Sequence, residues 1–302
     1  MKIAVIGAGA VGGYLGVLLK EAGHDVSFIA RGAHLEKMKQ DGLTLNHENG
    51  NVTVHNTFTD EFEAIRDADL LLFTVKSTET REVCEKIKQY KKKDAYVLTV
   101  QNGVINEEIL AEYFGTDVVL AGSAYITAKV EEPGVIKQAG GHIFFIGGLV
   151  AESNKSSESI ATMLQEAGVK CYHLDNIMEK KWEKSLWNVT FNPLSAVVGT
   201  KVEEILDDEK LNRTAKAILA ETVQIAKYAG YDLPQKTIDN VFVDAERGRH
   251  HKTSMLQDRE RGKKMEVDAL CGYFVQLAKK GNVDIPVLET IYSILSFYDQ
   301  AE

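Results

Sequence analysis

Three groups of residues in this 302-residue chain have types and spacings that could do chemistry. The first is Gly7-Ala8-Gly9-Ala10-Val11-Gly12, the spacing G-x-G-x-x-G, placed directly after the apolar run Ile3-Ala4-Val5-Ile6. In such a turn the first glycine permits a tight bend. The second leaves the backbone open to a pyrophosphate, and the third lets the next helix pack close to the strand. A helix expected over residues 11–22, stopped by Gly23, aims its N–H groups and positive dipole end at the phosphates. The chemistry implied is dinucleotide binding. The second group is Lys184, Asn188 and Asn192, spaced by four and therefore stacked on one helix face. That face offers one proton donor and two orienting amides. On spacing alone it is equally a polar helix surface, and the neighbours Lys180, Lys181 and Glu183 read as a solvated, charged segment. The third group is Ser254, in Thr253-Ser254-Met255-Leu256-Gln257-Asp258, with Glu266 further on. On a continuous helix these two point about 120° apart. They share a pocket only if the helix breaks between them, and Gly262 is the residue to break it.

The elements that must position these residues follow from periodicity. A second strand over residues 24–30 ends in Ala30-Arg31-Gly32. NAD sites place an Asp or Glu at this strand end, where it accepts from the ribose. Here no carboxylate is present to repel a phosphate, and a guanidinium pairs with one through two N–H bonds, which favours NADPH. A helix over 33–40 follows. Two short strands, 43–45 and 52–54, flank Glu48-Asn49-Gly50-Asn51 as a hairpin. Strand 68–75 ends at Lys76, helix 80–90 comes next, and strand 95–100 ends in Gln101-Asn102-Gly103. Alternation of this kind predicts a parallel, doubly wound (Rossmann) sheet, with ligands bound beyond the carboxyl ends of the strands. Gly7 to Gly12, Arg31, Lys76 and Asn102 all fall at such ends. Strands at 118–130 and 142–146 surround Pro133-Gly134, followed by a helix at 157–167 and a strand at 170–174. From Asn176 onward strand signals disappear and amphipathic helices take over. The expected division is an NADP-binding Rossmann domain at 1–175 and an all-helical substrate and catalytic domain at 176–302.

A net charge of −9 argues against nucleic acid as a partner, because phosphate backbones need a basic face. Lys91-Lys92-Lys93 is adequately explained as a solvated helix end. Cys84, Cys171 and Cys271 are few, odd in number and without metal-ligand spacing, which fits reduced thiols in a cytoplasmic protein. The chain opens on a strand and a phosphate loop, not on a secretory signal. No apolar run approaches the roughly 18 residues that span a bilayer.

The chain resembles the ketopantoate reductases (2-dehydropantoate 2-reductases) over essentially its whole length. The resemblance rests on G-A-G-A-V-G, Val75-Lys76, Gln101-Asn102-Gly103 and Pro133-Gly134. It extends to W-x-K-x-x-x-N-x-x-x-N-P from Trp182 to Pro193, and to S-M-L-Q-D with a glutamate eight residues later. It implies a helical second domain like that of 6-phosphogluconate dehydrogenase. It also implies NADPH-dependent reduction of 2-dehydropantoate to (R)-pantoate, on the way to pantothenate and coenzyme A. By position, Lys184 matches the catalytic lysine that protonates the carbonyl oxygen, and Glu266 a glutamate near the substrate hydroxyl and the nicotinamide. Asn188, Asn192 and Ser254 match substrate contacts, and Asn102 an asparagine where cofactor and substrate meet. Arg31 and Lys76 match cofactor contacts, the arginine at the 2′-phosphate, and Ala128 a backbone contact to the cofactor. The partner implied is a small 2-keto acid, with no metal, no nucleic acid and no membrane; a homodimer stays open. His251, Cys271 and Ile105 depart from the family pattern on the substrate side. Two other readings therefore stay open: the same chemistry on another branched or aromatic 2-keto acid, and a catalytically silent nucleotide-binding protein.

Overall fold

Runs of aliphatic and β-branched residues become strands buried on both faces, and they carry the first half of the chain. The structure is a computed structural model and describes residues 1–48 and 50–300. It divides into two units: Met1–Gln101 with Asn106–Met178, and Asn102–Ile105 with Glu179–Glu302.

The strands of the first unit are β1 (Lys2–Ile6), β2 (Asp25–Ile29), β3 (Leu43–His47), β4 (Gly50–Val54) and β5 (Thr57–Thr59). They continue with β6 (Leu70–Phe73), β7 (Tyr96–Thr99), β8 (Val119–Glu132), β9 (Val135–Gly148) and β10 (Cys171–His173). All join one sheet in the order β4-β3-β9-β8-β7-β6-β1-β2-β5, with β10 added to β9. From β8 across to β5 every neighbouring pair is parallel, as the alternating pattern predicts. The sheet as a whole is mixed, however, because β8 pairs β9 and β3 pairs β4 antiparallel. The reason is covalent. Only Pro133 and Gly134, the latter at φ +80°, connect β8 to β9, and a two-residue turn can return a chain only antiparallel. The expected hairpin at 43–54 forms, with Leu45 opposite Val52; Asn49 of its turn lies outside the described residues.

The helices of this unit are α1 (Ala10–Glu21), α2 (Gly32–Asp41), α3 (Thr80–Ile87), α4 (Asn106–Phe114) and α5 (Ala151–Glu166). α5 begins well before the expected residue 157. Its polar first turns hide this from a propensity reading, but Ser153 and Ser157 are buried and bond the carbonyls of Val150 and Asn154, so they suit a helix here. Ile3, Val5, Leu70, Leu72 and Leu98 form the core with Leu15 and Leu19 of α1. α1 reaches this layer through glycine: a Cβ on Gly16 would lie 2.9 Å from the Val5 side chain.

Among its described residues the second unit holds no strand. It contains α6 (Ile177–Val198) from Glu179 onward, α7 (Val202–Asp207), α8 (Glu209–Tyr228), α9 (Gln235–Arg247), α10 (Ser254–Glu260), a π-turn at Asp268–Gly272, α11 (Tyr273–Gly281) and α12 (Pro286–Gln300). α6 runs unbroken through Pro193. Trp182, fully inside, stacks on Tyr231 at 5.2 Å and meets Phe274 edge-on at 5.4 Å. Buried Glu221 of α8 accepts from the backbone N–H groups of Val287 and Leu288, which caps α12 from outside its own helix.

Candidate active site

In the first unit, the three glycines of the opening loop do different work. Gly7 sits at φ +92°, where only glycine is comfortable, and a Cβ there would lie 2.7 Å from the backbone of Val75. A Cβ on Gly12 would lie 2.5 Å from the Gly7 carbonyl oxygen, so the helix can approach the strand only without one. A Cβ on Gly9, by contrast, would meet no protein atom within 4 Å. Nothing inside the protein requires that glycine, and its lack of a side chain leaves the loop backbone open to a pyrophosphate. Gly9 is also the N-cap of α1, with no side-chain cap and no acidic residue in the first turn, which suits an anion at the helix end. Thr74 Oγ1 donates to the Gly7 carbonyl at 2.9 Å and holds the bend. The residues present therefore fit a dinucleotide.

His34 was not singled out by its sequence context, yet it braces this loop. The Gly134 N–H donates to His34 Nδ1 at 3.0 Å. Nδ1 must then be the lone-pair nitrogen, and Nε2 carries the proton that it donates to the Ala8 carbonyl at 2.9 Å. Burial holds the ring below its ordinary pKa, which keeps this neutral form.

Arg31 follows β2 and begins α2, and its side chain is largely exposed. It is ion-paired with Glu79, which closes the single turn Ser77–Glu79 after β6. This corrects the expectation that no carboxylate stands here: the one present comes from another strand end, beyond the reach of local sequence. An exposed pair contributes at most about 1 kcal/mol, so Glu79 does not remove Arg31 from a stronger anion. Lys76, half-buried, starts the same turn, and its carbonyl accepts from the Glu79 N–H at 2.9 Å. Gln101 locks the ends of β6 and β7 together: its Nε2 donates to the Val75 carbonyl at 2.7 Å and to Thr80 Oγ1 at 3.0 Å. In the Q-N-G motif the glutamine is thus structural. Ala128 lies further along β8, opposite Gln138 of β9 and seven residues past Ala121, which pairs the end of β7. Its pairing partners are strand residues, not the glycine loop.

In the second unit, Lys184 Nζ donates to Asn102 Oδ1 at 3.0 Å. Asn188 and Asn192 are buried on the same face of α6, at 7 % and 3 % exposure, which decides against a solvated polar surface. The lysine amine is lowered from its ordinary 10.5 to about 7. Burial is the main cause, the Lys181 ammonium adds to it, and the Glu266 carboxylate opposes it. The sequence had named Lys181 as part of a surface segment. It is 3 % exposed, while Lys180 does lie near the surface and pairs with Glu183 at 2.7 Å. Gly103, at φ +78°, sits so close to the π-turn that a Cβ would lie 2.8 Å from the Ala269 carbonyl oxygen. The turn bearing Asn102 is seated on the segment that follows Glu266.

Ser254 begins α10 with its side chain exposed. Its buried neighbour Thr253 caps the helix, accepting from the Leu256 N–H, and donates to Ser195 Oγ at 3.2 Å. That bond ties the start of α10 to α6 one turn beyond Asn192. α10 ends at Glu260, and Gly262 takes φ +59°, so the helix does break between Ser254 and Glu266. Among the described residues no group of His, Cys, Asp and Glu could hold a metal ion, and no helix is long and apolar enough to cross a membrane.

A glycine loop fitted to a dinucleotide at the carboxyl edge of a Rossmann sheet, and a helical unit with a buried amine among amides, define the class of nicotinamide-dependent oxidoreductases. The family model described as "Ketopantoate reductase PanE/ApbA" matches residues 3–150, and that described as "Ketopantoate reductase PanE/ApbA C terminal" matches residues 176–299. The chain belongs to the ketopantoate reductase family. It is 32 % identical to a 2-dehydropantoate 2-reductase of Archaeoglobus fulgidus, over 97 % of this chain and 96 % of that protein. A PanE/ApbA family ketopantoate reductase from Ralstonia eutropha superposes with a TM-score of 0.93 at 28 % identity, covering 100 % of this chain and 99 % of the other. D-mandelate dehydrogenase, solved with NADH and anilino(oxo)acetate, shares the fold, with a TM-score of 0.91 at 24 % identity and coverage of 100 % and 99 %.

Proposed function

We propose that the protein reduces 2-dehydropantoate to (R)-pantoate with NADPH, and that Lys184 is the proton donor. The observation that carries this reading is the Lys184 amine, lowered to about 7 and 3.0 Å from Asn102. A general acid works best when its pKa lies near the operating pH, and an ordinary lysine lies far above it. Gly7, Ala8, Gly9, Ala10, Val11 and Gly12 hold the pyrophosphate, with Arg31 at the 2′-phosphate and Lys76, Asn102, Ala128 and Glu266 as further cofactor contacts. The nicotinamide, when bound, supplies a hydride to the carbonyl carbon of the substrate. The Lys184 ammonium opposes the negative charge that grows on the carbonyl oxygen, then gives it one proton and is left as a neutral amine. Glu266, whose charge acts on Lys184, favours the ammonium and so favours its recharging from solvent. Asn188, Asn192 and Ser254 hold the substrate through uncharged groups. A bare 2-keto carboxylate can therefore bind without displacing a fixed anion.

Glu79 supports a second reading on the cofactor side. A carboxylate beside Arg31 can accept from ribose hydroxyls, so NADH serves as a slower reductant alongside NADPH. The test is loss of reduced-nicotinamide absorbance with a panel of branched and aromatic 2-keto acids, run with each cofactor. 2-Dehydropantoate should lead the panel in kcat/KM with NADPH. Another acid in the lead would replace the substrate named here, and no turnover with any acid would overturn the catalytic reading.

A further inference from the structure

Lys181 and Lys184 leave α6 three residues apart, on one face and one turn from each other. Lys181 is nearly devoid of solvent contact, unlike Lys180 beside it. A second cation at this spacing repels the Lys184 ammonium. A long aliphatic residue would fill the same space without placing a second positive charge beside Lys184. We propose that Lys181 is a positioning residue of the active site, a second buried cation whose charge keeps the Lys184 ammonium ready to release its proton. The proposal rests on the reading of Lys184 as the acid.

The charged and polar groups around Lys184 give the sign. From its own helix Lys181 faces it and disfavours the ammonium. From the segment between α10 and the π-turn Glu266 faces it and favours the ammonium. From the turn at 102–105 it meets the neutral amide of Asn102. Removing the Lys181 charge leaves Glu266 opposed by burial alone, so Lys184 holds its proton to higher pH. The amine becomes a weaker acid that stays loaded longer. The rate plateau drops by a few fold, and the alkaline limb of kcat moves up by about one pH unit, the scale set by one nearby charge.

The experiment uses the full chain with Lys181→Met, which keeps the buried stem, Lys181→Gln, which keeps polarity, and Lys181→Arg, which keeps the charge. Two readouts are taken. One is kcat against pH with NADPH and the best 2-keto acid. The other is the rate at which acetic anhydride labels Lys184 in the cofactor-free protein, followed against pH by peptide mass spectrometry. In the wild type the labelling midpoint should lie near 7. In whichever neutral variant folds it should rise by about one unit, with the kcat limb moving alongside, and Lys181→Arg should restore both. A normal midpoint near 10 in the wild type would sink the reading of Lys184 itself. A midpoint near 7 that neither neutral variant moves would overturn the role of Lys181 alone.

Discussion

Replacing Lys184 by Met removes the amine and keeps an unbranched stem of similar length. Two consequences with opposite signs follow from the same burial. The amine is lowered from 10.5 to about 7, so the folded protein binds fewer protons than the unfolded chain between those values. Stability therefore rises with pH across that window: the penalty from this group is full below about pH 7 and gone above about 10.5. At about 1.36 kcal/mol per pKa unit the full penalty approaches ~5 kcal/mol. Part of the Lys184 side chain still reaches solvent, which reduces it to ~1–2 kcal/mol after screening. Lys184→Met should accordingly raise Tm by roughly 2–8 °C at pH 6 and by little at pH 10, at about 2–4 °C per kcal/mol for a chain approaching this size. Activity should move the other way. The wild-type kcat should be flat below about pH 7 and fall tenfold per unit above it, while Lys184→Met loses about a hundredfold or more at pH 7. Thermal melts at the two pH values and a pH–rate profile supply the assay. A variant less stable than wild type at pH 6, or one that keeps most of its kcat, would refute the reasoning.

Two further substitutions probe the cofactor side. Gly12→Ala forces a Cβ to 2.5 Å from a backbone oxygen that cannot yield, so it should cost about 1–3 kcal/mol of stability and weaken NADPH at least about tenfold, read by melting and fluorescence titration. Arg31→Ala should weaken NADPH by about 1–3 kcal/mol, the scale of a charge-assisted hydrogen bond, and leave NADH nearly unchanged; equal losses for both cofactors would remove Arg31 from the 2′-phosphate.

The Rossmann half could be read from the sequence because its signals are local. A buried strand, a glycine turn and a helix follow one another within the first two dozen residues, and each strand end announces itself by a change from apolar to polar. The break at Gly262 was readable for the same reason, since a lone glycine in a charged stretch is a local feature. β5 was not, because three residues carry no periodicity and the strand exists only through its pairing with β2. Neither was the meeting of Arg31 with Glu79, 48 residues apart, nor the brace from Gly134 to His34, 100 residues apart. Such contacts come from the order of strands in the sheet, and nothing in either segment encodes that order by itself.

The chemistry of Lys184 shows where local pattern stops. The spacing put an amine and two amides on one face, and the neighbouring Trp182 and the more distant Glu266 marked burial and attraction as opposing influences on its proton. Their balance depends on which face of α6 turns inward. The flanking Lys180, Lys181 and Glu183 pointed outward by type, but Lys180 and Glu183 are half-buried and Lys181 is inside. Lys181 is inside at 3 % exposure, as Asn188 and Asn192 further along α6 are, while Lys184 between them is half-buried. Charge type is a poor guide to exposure when a helix face has been given to function, because the cost of burying the charge is then set against catalysis instead of stability. A second lysine one turn from a buried catalytic candidate is therefore better counted with the site than with the surface. It follows that neutral substitutions at the two neighbours should separate: Lys180 answers to its half-buried partner Glu183, and Lys181 to the proton on Lys184.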